Sequence, residues 1–207
     1  MTDVAPVAPT GVDGRALSRR GVETRRRLLE AAEQCFVELG YHDASIVKIT
    51  EAAGVAQGTF YLYFASKKEI FDELVLDLNR RVRHYVNERA QHGATRIEQE
   101  LLGFRAFFEF TAEHPALYRV LRQAEFVSPE SLQAHYERFG GAYAERLRAA
   151  MAKGEIADAD AEMLTWALMG IAELVGMRTV LWSDDGRIAH DDFAALEPII
   201  RRTLGAT

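Results

Sequence analysis

Residues 45–64 read SIVKITEAAGVAQGTFYLYF, two short helical patterns separated by a glycine. Ser45 is placed to N-cap the first helix, and Ile46, Ile49 and Ala53 fall on one face of it. Gly54 supplies the permissive backbone that a helix needs to stop and turn. Val55, apolar, plugs the corner between the two. The second helix starts near Gln57 and buries Phe60 and Phe64, four residues apart, which leaves Gln57, Thr59, Tyr61 and Tyr63 on other faces. Two short helices, a glycine-containing turn and a polar second helix make a helix-turn-helix, whose second helix enters the major groove of DNA.

The wording of the run AAGVAQGTFYLYFASKKEIF, residues 52–71, resembles the DNA-binding signature of the tetracycline-repressor (TetR) family. The resemblance extends from about Thr24 to Leu74. It implies an all-α protein with an N-terminal three-helix DNA-binding domain and a C-terminal helical domain for effector binding and dimerisation. On this reading Gln57, Thr59 and Tyr61 lie near base edges, Ser45, Tyr63 and Lys67 meet phosphates, and Gly58 belongs to the same DNA-binding surface. Three residues depart from the family pattern and put individual contacts in doubt. Ala56 stands where a serine often meets phosphate, Val47 replaces a polar residue, and Leu62 occupies a commonly polar position.

Charge is divided along the chain. The formal net charge is −6, yet residues 1–68 carry nine Lys and Arg against eight Asp and Glu, while residues 69–207 carry sixteen against twenty-three. The basic charge therefore travels with the helix-turn-helix, as a double-stranded DNA partner requires. Arg25, Arg26 and Arg27 are candidates for phosphate contact, although three consecutive side chains cannot all face one surface. The single Cys35 excludes an intrachain disulfide and fits a reducing cytoplasm. No secretory signal is read at the N-terminus, and no run of eighteen apolar residues predicts a membrane span.

Outward from the motif, residues 1–18, with Pro6, Pro9, Gly11 and Gly14, lack a helical period and read as a disordered arm. Residues 19–66 form the DNA-binding domain. Its first helix, from about Arg19 to Leu39, presents Leu28, Ala32, Cys35, Phe36 and Leu39 at helical spacing. Ser66 with Glu69 is a capping box, opening a helix that continues to about Arg89. Residues 67–207 form the effector-binding and dimerisation domain, with further helices at about 94–113, 115–126, 129–153, 159–182 and 189–204. The helix at 159–182 is apolar all round and reads as buried, covered by a core on one side and a partner subunit or ligand on the other. Leu196, Ile199, Ile200 and Leu204 on the last helix form a second stripe suited to a homodimer.

Three functions compete: a ligand-responsive repressor, an enzyme, and an architectural DNA-binding protein. The six histidines stand in no metal-ligand spacing and no serine sits in a glycine elbow, so no catalytic residue, metal or cofactor is expected. The size of the second domain argues against a purely architectural role. Phe104, Phe107, Phe108, Tyr118, Phe126, Tyr136, Tyr143, Trp166 and Met169 could line a pocket for a small hydrophobic effector or simply form a core. Residues 114–130 and 169–182 resemble acyl-coenzyme A-responsive members of the family, which implies an acyl chain among the aromatics and Arg122 or Arg178 on polar groups. A multidrug or other aromatic ligand is the alternative.

Overall fold

The computed structural model describes residues 10–205, and among them the fold is all-α: nine helices, with one isolated bridge as the only extended pairing. They are α1 (Arg19–Asp43), α2 (Ile46–Ala53), α3 (Gln57–Phe60), α4 (Lys67–Ala90), α5 (Arg96–Glu113), α6 (Ala116–Val127), α7 (Pro129–Ala152), α8 (Ala161–Trp182) and α9 (His190–Thr203). Two compact units result, 10–76 with 119–131, and 77–118 with 132–205. The division falls inside α4, inside α6 and in the first turn of α7, so these three helices have residues in both units.

In the first unit, Ser18 N-caps α1 by accepting from Gly21 N–H at 3.2 Å. Leu28, Ala32, Cys35 and Phe36 then meet Ile49, Phe60, Phe64, Ile70, Phe71 and Leu74 in a core, whereas Leu39 is left half-exposed. The segment 119–131 joins this unit through polar contacts that no local pattern announces. Gln123 accepts from the Tyr41 N–H at 2.5 Å and donates to the Phe36 carbonyl at 3.1 Å. Lys68 on α4 reaches Ser128 and Glu130 at 3.1 and 2.6 Å, and Ser131 donates to Asp72 at 3.1 Å.

The arm expected over 1–18 is ordered from residue 10 onward; residues 1–9 lie outside the described residues. Thr10 bridges Ala16 antiparallel, Gly11 N–H donates to Arg15 O at 3.0 Å, and Val12 N–H donates to Leu62 O at 3.1 Å. Gly11 and Gly14 make a tight turn here, and the turn seals a carbonyl at the end of the helix-turn-helix.

In the second unit, α5 opens with a capping box between Thr95 and Glu98 and packs on α8 and α9. Leu101, Phe104, Phe108, Tyr143, Leu147, Leu164, Leu168, Phe193, Leu196, Ile200 and Leu204 form its core. The last three correct the expected dimer stripe of α9: Leu196, Ile200 and Leu204 are core residues, and of the four only Ile199 is exposed. Helix α8 was read as buried, yet only one face of it is. Leu164, Leu168, Gly176 and Thr179 point into the core, while Met163, Trp166, Gly170 and Leu174 form a second, exposed row at spacings of three and four. A Cβ on Gly176 would overlap the Tyr118 hydroxyl and crowd Phe108 at 3.2 Å, so a side chain there would drive α8 off the core. By length and composition alone α8 could also cross a membrane.

Candidate nucleic-acid interface

The helix-turn-helix is built as its residues dictate. Ser45 lies in an extended conformation and accepts from Lys48 N–H at 3.2 Å, which satisfies a free donor of α2. Gly54 ends α2 at φ 64°, ψ 41°, a left-handed conformation that a Cβ disfavours. Arg27 then donates to the Ala53 and Gly54 carbonyls, closing the C-terminal end of the helix. Only Gln57–Phe60 is α-helical in the second element. Its continuation is a run of tighter turns, with Leu62 N–H on Thr59 O at 3.2 Å and Tyr63 N–H on Phe60 O at 2.9 Å. Phe60 and Phe64 are fully buried with ring centroids 5.7 Å apart, and they fix which residues face out.

Outward stand Gln57, Gly58, Tyr61 and Leu62, flanked by Val47, Lys48 and Ala56, with Thr59, Tyr63 and Ser45 partly covered. The seven residues expected on DNA therefore split. Gln57, Gly58, Thr59 and Tyr61 share one accessible surface, and a Cβ on Gly58 would meet only open space. Ser45 and Tyr63 lie beside it.

Lys67 does not belong with them. Its Nζ donates to the Tyr41, Ala44 and His42 carbonyls at 2.7, 2.8 and 3.4 Å and sits 4.4 Å from the Tyr41 ring centroid. Burial pushes this ammonium below the ordinary lysine value. An ammonium has three donors, and here all three are taken by the end of α1. We expect Lys67→Ala to lower unfolding stability by about 2 kcal/mol, the worth of a charged hydrogen-bond set closing a helix end, as a shift of the urea midpoint. If the side chain met phosphate instead, stability would hold and the salt dependence of DNA binding would flatten by roughly one unit.

The three consecutive arginines are also committed. Arg25 pairs with Glu73 at 3.3 Å and stacks on Phe64, Arg26 pairs with Glu23 and Glu30, and Arg27 caps α2. Cationic side chains left exposed near the motif are Arg15, Arg19, Arg20 and Lys48. Sequence reasoning missed Val12, although the glycines flanking it signal a turn.

The residues expected at an effector site divide as well. Phe104, Phe107, Phe108, Tyr143 and Met169 lie in or against the core of the second unit, and Tyr118 is buried in that unit 6.4 Å from the Phe107 ring. Burial raises the Tyr118 phenol well above its ordinary range. Thr111 lies beside its hydroxyl, without a well-aligned hydrogen bond among the described residues. Tyr136 donates to Glu173 at 2.6 Å and lies against Trp166, which is half-exposed. Arg178 is exposed. Arg122 and Phe126 fall in the first unit, and Phe126 is 81% exposed.

With this geometry in view, residues 28–74 match the model of bacterial regulatory proteins of the tetR family. The chain carries a TetR-family DNA-binding domain. Among similar proteins, the uncharacterized HTH-type transcriptional regulator YdgC of Bacillus subtilis is 36% identical over 56% of this chain and 60% of its own length. The HTH-type transcriptional activator FasR of Mycolicibacterium smegmatis is 31% identical over 65% and 64%. The chain thus spans less than two thirds of either relative. Among solved structures, the transcriptional regulator FadR from B. subtilis in complex with stearoyl-CoA superposes with a TM-score of 0.72. It covers 88% of this chain and 98% of that one at 23% identity, a likeness of fold. These relatives are regulators, and the TetR-family domain explains the helix-turn-helix without any catalytic group.

Proposed function

We propose that this chain is a ligand-responsive transcriptional regulator that binds a near-palindromic operator as a homodimer, and that it represses until an apolar effector releases it. The observation that carries the reading is the row Gln57, Gly58, Tyr61 and Leu62, held outward by fully buried Phe60 and Phe64. One such short element reads few base pairs, so useful specificity takes two copies related by a two-fold axis. The exposed row of α8 with Ile199 is the apolar surface suited to that pairing. Binding to chromosomal DNA places the protein in the cytoplasm.

For the effector, an acyl-coenzyme A is the class we favour. The stearoyl-CoA complex of a protein with the same fold supports it. So does an interior rich in Phe104, Phe107 and Phe108, with the buried Tyr118 hydroxyl as a donor for a carbonyl. Release would act through α4, α6 and the start of α7, the helices with residues in both units, because a ligand shifts an equilibrium only by preferring one conformation.

The deciding experiment is operator selection followed by binding to the selected site. Tyr61→Ala and Gln57→Ala are expected to relax base preference at one or two positions, by about 1–3 kcal/mol of discrimination each. Gly58→Ala should leave the fold at least as stable, since its surroundings are open, yet weaken operator binding through the added methyl group. Unchanged sequence preference in all three variants would overturn the assignment of the reading surface.

A further inference from the structure

The second unit holds a polar cluster that its apolar core does not require. Arg96 and Glu100 on α5 and Tyr143 on α7 are 8%, 5% and 8% exposed. An Arg96 Nη donates to one Glu100 oxygen, and the Tyr143 hydroxyl donates to the other. Each Glu100 oxygen thus has a buried donor. Arg146, one turn along α7 from Tyr143, lies with its guanidinium 5.7 Å from the Tyr143 ring centroid. It is partly buried, and this desolvation, then the like charges of Arg96 and of Arg83 on α4, lower its pKa against the pull of Glu100. Arg96 and Arg146 therefore share the single carboxylate of Glu100, with Arg83 adding a third positive charge near Arg146. The Arg96 Nε, inside the cluster, has no acceptor among the described residues.

A cation partly withdrawn from water without an anion of its own is costly, and the orphan N–H of buried Arg96 adds to that cost. Both are relieved by one anionic oxygen group, for which guanidinium N–H donors are suited in charge and geometry. Apolar positions adjoin the cluster in sequence and in the core: Ile97, Leu101 and Phe104 on α5, Phe139 and Leu147 on α7. We propose that Arg96 and Arg146, with Arg83 behind them, form an anion subsite for the charged group of an amphiphilic ligand whose apolar part enters the Leu101, Phe104 and Leu147 core. The proposal rests on the effector reading above and deepens it by assigning the residues that meet the effector's charge. A fatty carboxylate and the phosphates of a coenzyme A thioester share that chemistry.

The test uses the full-length protein without DNA and three probes of one chain length, dodecanoate, dodecanoyl-coenzyme A and 1-dodecanol, with affinities from calorimetry at constant ionic strength. At least one anionic probe should bind roughly tenfold tighter than the alcohol, the effect of one charge-assisted contact. Which anionic probe wins distinguishes a carboxylate from a phosphate source. Arg146→Gln should bring that advantage to within about twofold while leaving dodecanol affinity unchanged. Arg96→Lys, which keeps the charge beside Glu100 but deletes Nε, should reduce it too, so the proposal does not depend on either variant folding alone.

Equal affinity for charged and neutral probes, an advantage that survives in both variants, or no binding of any probe would each overturn the subsite. Tight anionic binding that leaves an operator complex intact would support the subsite and sink the effector reading instead.

Discussion

A Leu174→Glu protein is expected to sediment as a monomer and to lose roughly 10²-fold or more in operator affinity, while unfolding at nearly the wild-type temperature. Leu174 is 61% exposed in a row with Met163 at 69% and Trp166 at 50%, so the carboxylate is solvated in the free protomer and costs the fold little. In a dimer sealed by that row the same carboxylate would be buried without a partner, a penalty of several kcal/mol felt on both sides of the two-fold axis. Loss of affinity follows from lost bivalency: each half-site must then be bound from solution rather than by a tethered second copy. Leu168→Glu, nearly two turns away on the buried face, is the contrast, because it should unfold the second unit rather than split a dimer. Sedimentation of Leu174→Glu as a dimer would remove α8 from the interface. A fall in its melting temperature as large as that of Leu168→Glu would mean that the row packs within the protomer.

What could be read from residues alone, and what could not, follows from how local the physics is. The helix-turn-helix was legible because each signal acts within a turn or two: Ser45 on Lys48, Gly54 at positive φ, Phe60 under Phe64. Helix ends elsewhere were legible for the same reason. Helix α8 was not, because a helix apolar on two opposite faces has no periodic contrast to say which face is core. Leu196, Ile200 and Leu204 were read as a dimer seam by the same ambiguity, since a core face and an interface face share one spacing. Lys67 and the arginines at 25–27 looked like a phosphate surface because sequence shows charge but not the distant carbonyls and carboxylates that consume it. The placement of 119–131 in the first unit depends on Gln123 meeting Tyr41 and Lys68 meeting Glu130, pairings of long sequence separation. The Arg96–Glu100 pair has the spacing of an ordinary surface ion pair, and only its burial sets it apart.

Acid should destabilise the second unit well before its carboxylates titrate, and His135 is the reason. The ring is 6% exposed on α7, and its Nδ1 faces the Asn79 amide nitrogen at 3.1 Å, which also donates to the His135 carbonyl at 3.0 Å. With the amide nitrogen donating to both, Nδ1 must be the acceptor, so the folded ring is neutral. Burial, and then the positive charge of Arg83, push its pKa down from 6.5 to about 4. The unfolded chain therefore binds this proton more readily than the folded one. The contribution is fully present above pH 6.5 and is lost as pH falls toward 4, reaching about 3 kcal/mol in all and about 2 kcal/mol between pH 7 and pH 5. Glu130, held at about 2 by Lys68, stays charged through that window and does not confuse the measurement.

Urea unfolding at fixed protein concentration, from pH 7.5 to 4.5, should show wild type losing about 2 kcal/mol more than His135→Gln between pH 7 and 5, whatever the variant's stability at neutral pH. Parallel curves for the two proteins would mean that His135 accepts its proton in the folded state. The Asn79 amide would then have to turn its oxygen toward the ring, setting that oxygen against the His135 carbonyl, and the neutral pair inferred from the donor count would be wrong.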